Sequence, residues 1–78
     1  MKELLEYIAK NLVSNPEEVS VVEMEGDSDR SVILELRVAK DDMGKVIGKQ
    51  GRIARAIRMV VKAAAVKENK HASVEIVQ

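Results

Sequence analysis

The 78-residue sequence has no cysteine, phenylalanine or tryptophan, and one tyrosine, one proline and one histidine. Without cysteine, neither a disulfide nor a thiolate metal site can supplement the core, so stability must come from aliphatic packing. That composition suits a reducing cytoplasm, and a cytoplasmic protein is expected. Charges interrupt every apolar run well before bilayer-spanning length, and Met1-Lys2-Glu3 leads into an amphipathic pattern, so neither a membrane span nor a signal peptide is expected. Enzyme signatures are missing too. Neither G-x-x-x-x-G-K-[ST] nor G-x-G-x-x-G occurs, and His71 has no obvious second ligand or nucleophile, so no catalysis, cofactor or metal is expected. A chain this short is expected to form one domain, residues 1–78, burying roughly 60% of the surface its unfolded form exposes.

Thirteen Lys and Arg residues balance thirteen Asp and Glu, a net charge of zero that by itself speaks against a polyanionic partner. The distribution speaks for one. Residues 40–70 hold nine basic side chains (Lys40, Lys45, Lys49, Arg52, Arg55, Arg58, Lys62, Lys67, Lys70) against Asp41, Asp42 and Glu68, a local charge of +6. The remainder holds four basic residues against ten acids, or −6. The fold therefore carries a dipole that turns one end toward a polyanion, over a range limited by salt.

Leu4, Leu5, Ile8, Leu12 and Val13 recur at helical spacing, with Lys2, Glu3, Glu6 and Lys10 on a solvated side, and Ser14-Asn15-Pro16 stops the helix. The period then becomes two. Ser20, Val22 and Met24 alternate with Val21, Glu23 and Glu25; Gly26-Asp27-Ser28-Asp29 reads as a turn; Val32, Leu34, Leu36 and Val38 alternate with Ile33, Glu35 and Arg37. This predicts an antiparallel hairpin with one buried face. Asp41 is the expected N-cap of a short helix reaching Ile47, which Gly48 ends in a left-handed conformation. A longer helix, about Arg52 to Val66, carries the apolar stripe Ile53, Ala56, Ile57, Val60, Val61, Ala64, and Ala72–Val77 closes the sheet as a last strand. The expected class is α+β, in the order α-β-β-α-α-β, with a three-stranded sheet and helices packed on one face.

Two helical patterns thus meet at Gly48-Lys49-Gln50-Gly51. Gly48 supplies an unusual backbone angle, and Gly51 removes the side chain that would block close approach. Amides at the head of the following helix sit at the positive end of its dipole and suit phosphate oxygens. Lys49 and Gln50 add a charge and an amide at the tip, and Arg52, Arg55, Arg58 and Lys62 follow at about one-turn intervals. Alone, Gly-x-x-Gly occurs by chance and serves many plain turns. Its position between two helices, ahead of a basic stripe, points to a backbone-gripping nucleic-acid site.

The run Val46-Ile47-Gly48-Lys49-Gln50-Gly51-Arg52-Ile53 is similar to the KH signature V-I-G-x-x-G-x-x-I, and the element order resembles the type II KH arrangement over essentially the whole chain. More narrowly, the Met1-Lys2-Glu3-Leu4-Leu5 opening and the run Asp42 to Ile53 resemble the small stand-alone bacterial KH proteins of the KhpA family. That resemblance implies a cytoplasmic protein binding single-stranded RNA, acting as a post-transcriptional regulator or RNA chaperone. It also implies a homodimer, or a heterodimer with a larger KH-containing (KhpB/Jag-like) protein. Carried onto this sequence, the RNA-binding residues are Gly48, Lys49, Gln50 and Gly51, flanked by Gly44, Lys45 and Arg52; Ile47, from the groove, and Arg55, from the basic stripe, join them as expected contacts. Base contacts are expected in an aliphatic groove floored by Val46, Ile47 and Ile53, with Arg37 and Ala39 on its far side.

Plainer readings stand beside these. The stripe Arg52, Arg55, Arg58, Lys62 also reads as a solvated helix face. Asp41 and Asp42 read as helix capping rather than metal ligands, Tyr7 as packing or an interface, and Met43 and Met59 as gap-fillers. The alternative function is a protein-interaction or dimerisation module with weak or no nucleic-acid binding.

Overall fold

The computed structural model describes residues 1–78. Helix α1 spans Lys2–Leu12, and only Leu5 and Ala9, one turn apart, are fully buried on it, with Met1, Ile8 and Val13 packed partly against the same core. The chain leaves α1 extended at Val13 and makes a short 3-10 turn at Pro16–Glu18. Pro16 occupies the first position of that turn, where its missing N–H costs no hydrogen bond.

Strands β1 (Ser20–Glu25) and β2 (Ser31–Arg37) form the expected antiparallel hairpin, and β3 (His71–Val77) pairs parallel to β2, giving the order β1-β2-β3. A parallel neighbour requires a crossover. Here it consists of a 3-10 turn at Lys40–Asp42, α2 (Met43–Ile47), a second 3-10 turn at Lys49–Gly51, and α3 (Arg52–Lys67). All the functional candidates outside the sheet lie on this crossover.

Leu34 and Leu36 are completely buried on β2, and the register sets Val21 of β1 and Ile76 of β3 opposite Leu36. Ile57, Val61 and Ala65 of α3, Leu5 and Ala9 of α1 and Val46 of α2 close over that face. The helices therefore cover one face only. Alternation in β1 resolves against its more apolar frame: Val21 is buried, whereas Val22 and Met24 lie on the uncovered face opposite Glu35 and Ile33. A one-residue step exchanges the faces of a strand, and β2, with two leucines to bury, sets the frame that β1 must follow. Tyr7 is 69% exposed and makes no part of the core. No helix is long and apolar enough to cross a membrane.

Candidate nucleic-acid interface

Helix α2 ends where the Gly48 N–H donates to the Gly44 carbonyl at 2.8 Å. Gly48 has φ 75° and ψ 176°, a combination essentially confined to glycine and distinct from the left-handed helical cap expected there. A Cβ at Gly48 would come within 2.6 Å of Ile53 Cγ1, so this glycine also lets the first turn of α3 fold back onto the end of α2. Gly51, with φ 74° and ψ 15°, is left-handed, and a Cβ there would meet nothing within 4 Å. One glycine makes the loop close; the other leaves its outer surface bare. Gln50 between them is left-handed as well (φ 58°, ψ 25°), an uncommon state for a side chain with a Cβ.

The loop bonds to itself. Gly51 N–H donates to the Gly48 carbonyl at 3.2 Å, and Arg52 N–H donates to the Lys49 carbonyl. Two of the amides that the sequence marks for phosphate are thereby occupied. What remains to attract an anion is the dipole of the 16-residue α3 and the exposed side chains of Lys49, Gln50, Arg52 and Arg55. Gly44 is also exposed, with open space where its Cβ would be.

Behind the loop, Asp42 is the one fully buried charged side chain. It does not cap α2, and Asp41 makes no side-chain cap either. Instead the Asp42 carboxylate accepts from Ser14 N–H, Asn15 N–H and the Asn15 side-chain amide, each at 3.0 Å. Lys45 Nζ lies 3.5 Å from the same carboxylate and donates to the Ser14 hydroxyl. Burial pushes the Asp42 carboxyl up, but the donors from Ser14 and Asn15, with Lys45, outweigh it and hold the carboxyl below its ordinary value. This clamp ties the end of α1 to the start of α2, and it engages Lys45 from behind the loop. In the sequence Ser14-Asn15 marks only a helix stop; the signal for a partner is the pair of backbone amides, freed at the end of α1, that need acceptors.

The basic stripe of α3 divides. Arg58 Nε donates to the Val74 carbonyl at 3.3 Å and so belongs partly to β3. Arg52, Arg55 and Lys62 are exposed, and none of these four cations has a carboxylate within 4.0 Å; the side-chain cations that do are Arg37, with Glu35, and Lys45, with Asp42. The other flank of α3 is apolar and faces α1 across an open groove of about 310 Å³, lined by Ile8, Leu12, Ile53, Ala56, Ile57 and Val60 beside Arg52. Two expected groove residues move. Val46 is wholly buried in the core, so it cannot floor a groove open to bases, and Arg37 lies on the uncovered sheet face, bonded to the Gln78 carbonyl and to Glu35. Ile47 is 37% exposed and Ile53 half-buried, so both still border the loop.

The mixed sheet in the order β1-β2-β3, the α2 and α3 crossover and the glycine-bounded turn between those helices together define an α+β domain of the KH type. The family model described as KhpA/KhpB, KH domain matches residues 2–76, and the chain belongs to that family. Among its relatives are the RNA-binding protein KhpA of Clostridium acetobutylicum, 68% identical over 99% of this chain and 100% of that protein, and that of Caldanaerobacter subterraneus subsp. tengcongensis, 61% identical over the same shares. The RNA-binding protein KhpA of Chlamydia trachomatis is 49% identical over the whole chain and 97% of that protein. Among solved structures the fold resembles part of Era, in complex with MgGDPNP and a segment of 16S ribosomal RNA. The TM-score is 0.55 at 18% identity, over 96% of this chain and 28% of that one.

Proposed function

We propose that the protein binds single-stranded RNA by seating the sugar-phosphate backbone on the Gly48-Lys49-Gln50-Gly51 loop, with Arg52 and Arg55 beside it and Gly44, Lys45 and Ile47 bordering the seat. The observation that carries this reading is the contrast between the two glycines: Gly48 is packed against Ile53, while Gly51 leaves open space on the outer side of a positively charged helix end. Lys49 supplies a point charge and Gln50 a hydrogen-bonding amide at that spot. A single KH loop engages about four nucleotides. Binding is therefore weak per domain, low in sequence specificity and steeply salt-dependent, which suits a post-transcriptional regulator or RNA chaperone acting on many cytoplasmic transcripts. The relatives named as RNA-binding proteins support the same assignment.

The reading includes a protein partner, either a second copy of this chain or a larger KhpB/Jag-like KH protein. The apolar α1–α3 groove supplies the surface; none of Gly48 to Gly51 lines it, although Arg52 borders it, and pairing there joins two weak RNA grips into a stronger one. The double change Lys49→Asp with Gln50→Asp tests the RNA grip. The fold and any dimer should survive while affinity for single-stranded RNA falls at least about tenfold, since two phosphate-facing groups become repulsive. Undiminished RNA binding by a folded double variant sinks the loop assignment.

A further inference from the structure

We propose that the pocket between the far end of α3 and the start of β3 is a second phosphate subsite, which extends the RNA path along α3 beyond the loop. The inference rests on the loop's grip on RNA. The pocket holds about 350 Å³ and is walled by Lys62 and Val66 of α3, Lys70, and His71, Ala72 and Ser73 of β3. Two of its walls are lysines; on β3 it is Ala72 that shares the covered face with α3, while His71 and Ser73 alternate to the other face and border the pocket along the edge of the strand. None of the three nitrogenous side chains has a carboxylate within 4.0 Å. Glu68, the acid nearest them in the sequence, is turned away to the N-terminal ammonium of Met1 at 3.4 Å. Lysines beside a concavity and without an ion-pair partner are suited to a phosphate.

The pocket is continuous with the loop. Arg55, Arg58 and Lys62 share one flank of α3, and Arg58 is held against β3 by its bond to the Val74 carbonyl, so the flank follows the edge of that strand. From Arg52 to Lys62 the helix advances about 15 Å at 1.5 Å per residue. A stacked strand rises about 3.4 Å per nucleotide along its axis, so this span covers roughly four nucleotides, the first of them already beside Arg52 and Arg55 at the loop. The path also has an end. Lys70 borders a second concavity walled by Glu23, Glu25, Asp27 and Asp29 of the β1–β2 hairpin, whose like charge repels a strand running further. A footprint longer than the roughly four nucleotides of a loop alone follows.

The test compares binding of a four-nucleotide and a ten-nucleotide oligouridine to the wild type and to the double variant Lys62→Ser, Lys70→Ser. The ten-mer should bind the variant roughly tenfold more weakly, with a logarithmic salt slope shallower by about 1.4, two phosphates at 0.7 each. The tetramer should bind both proteins equally. In the wild type, the amides of His71 and Ser73 should shift on adding the ten-mer and stay still with the tetramer, a reading that does not depend on the variant folding. An undiminished ten-mer affinity, an equal loss at both lengths, or His71 and Ser73 amides indifferent to the ten-mer overturns the second subsite alone. A wild type that binds neither oligomer overturns the loop reading, and this inference with it.

Discussion

Asp42 and Asn15, 27 residues apart in sequence, are joined by two hydrogen bonds of 3.0 Å, one from the Asn15 backbone N–H and one from its side-chain amide, both to Asp42 Oδ2. With Ser14 N–H on Oδ1, the carboxylate takes up the amides left free beyond α1 and fixes α1 against the root of the loop-bearing helices.

Asp42→Asn should lower the melting temperature, because an amide cannot accept on both sides and leaves a backbone N–H without a partner. The wild type should show a pH dependence that the variant lacks. The native carboxyl lies below its ordinary value of 3.8, so its contribution is fully present above that value and is lost as pH falls below 3.8 through the lower native value. Thermal or urea melts of both proteins between neutral pH and about pH 2, followed by circular dichroism, check this. Parallel pH curves would refute the clamp.

Gly48→Ala and Gly51→Ala should separate stability from binding. At Gly48 the new methyl meets Ile53 and the backbone angles are strained, a cost of about 2–3 kcal/mol. At Gly51 only the left-handed angle is penalised, about 1 kcal/mol, while the methyl projects into the space proposed for phosphate. Urea midpoints and RNA affinities measured together should rank Gly48→Ala as the less stable variant. Gly51→Ala should be the one that loses binding while folded.

Arg55→Ala and Arg58→Ala should differ although they lie one turn apart. Arg55 is exposed and bonded to nothing, so its loss should leave stability unchanged and make the salt slope of RNA binding shallower by about 0.7. Arg58 holds the Val74 carbonyl, and its loss should lower stability by about 1 kcal/mol. Equal stabilities for the two variants would contradict the division of the stripe.

Ala56→Glu places a charge in the α1–α3 groove at an exposed helix position. The monomer should remain folded, because glutamate is a good helix former and nothing is buried. Self-association, read by sedimentation equilibrium or mass photometry, should be abolished. A dimer unaffected by this change pairs through another surface.

Periodicity was sufficient for the element order, because each element must turn its apolar side toward one core: Ile57 and Val61 could face nowhere else on α3, nor Leu34 and Leu36 on β2. The glycine spacing located the turn, since only residues without a Cβ adopt the backbone of Gly48 at low cost. Local pattern was silent wherever the answer depended on a partner distant in the chain. The frame of β1 followed from pairing with β2, so Val22 and Met24 lie outside although their pattern invited burial. Asp42 acts through Ser14 and Asn15, and Arg58 through Val74, contacts that exist only after α1, α2, α3 and β3 have docked. Local pattern suffices for what each segment is and where the loop falls. Which charges are free follows only from the docked fold, because a charge is free or spent according to what the packed elements bring within hydrogen-bonding reach.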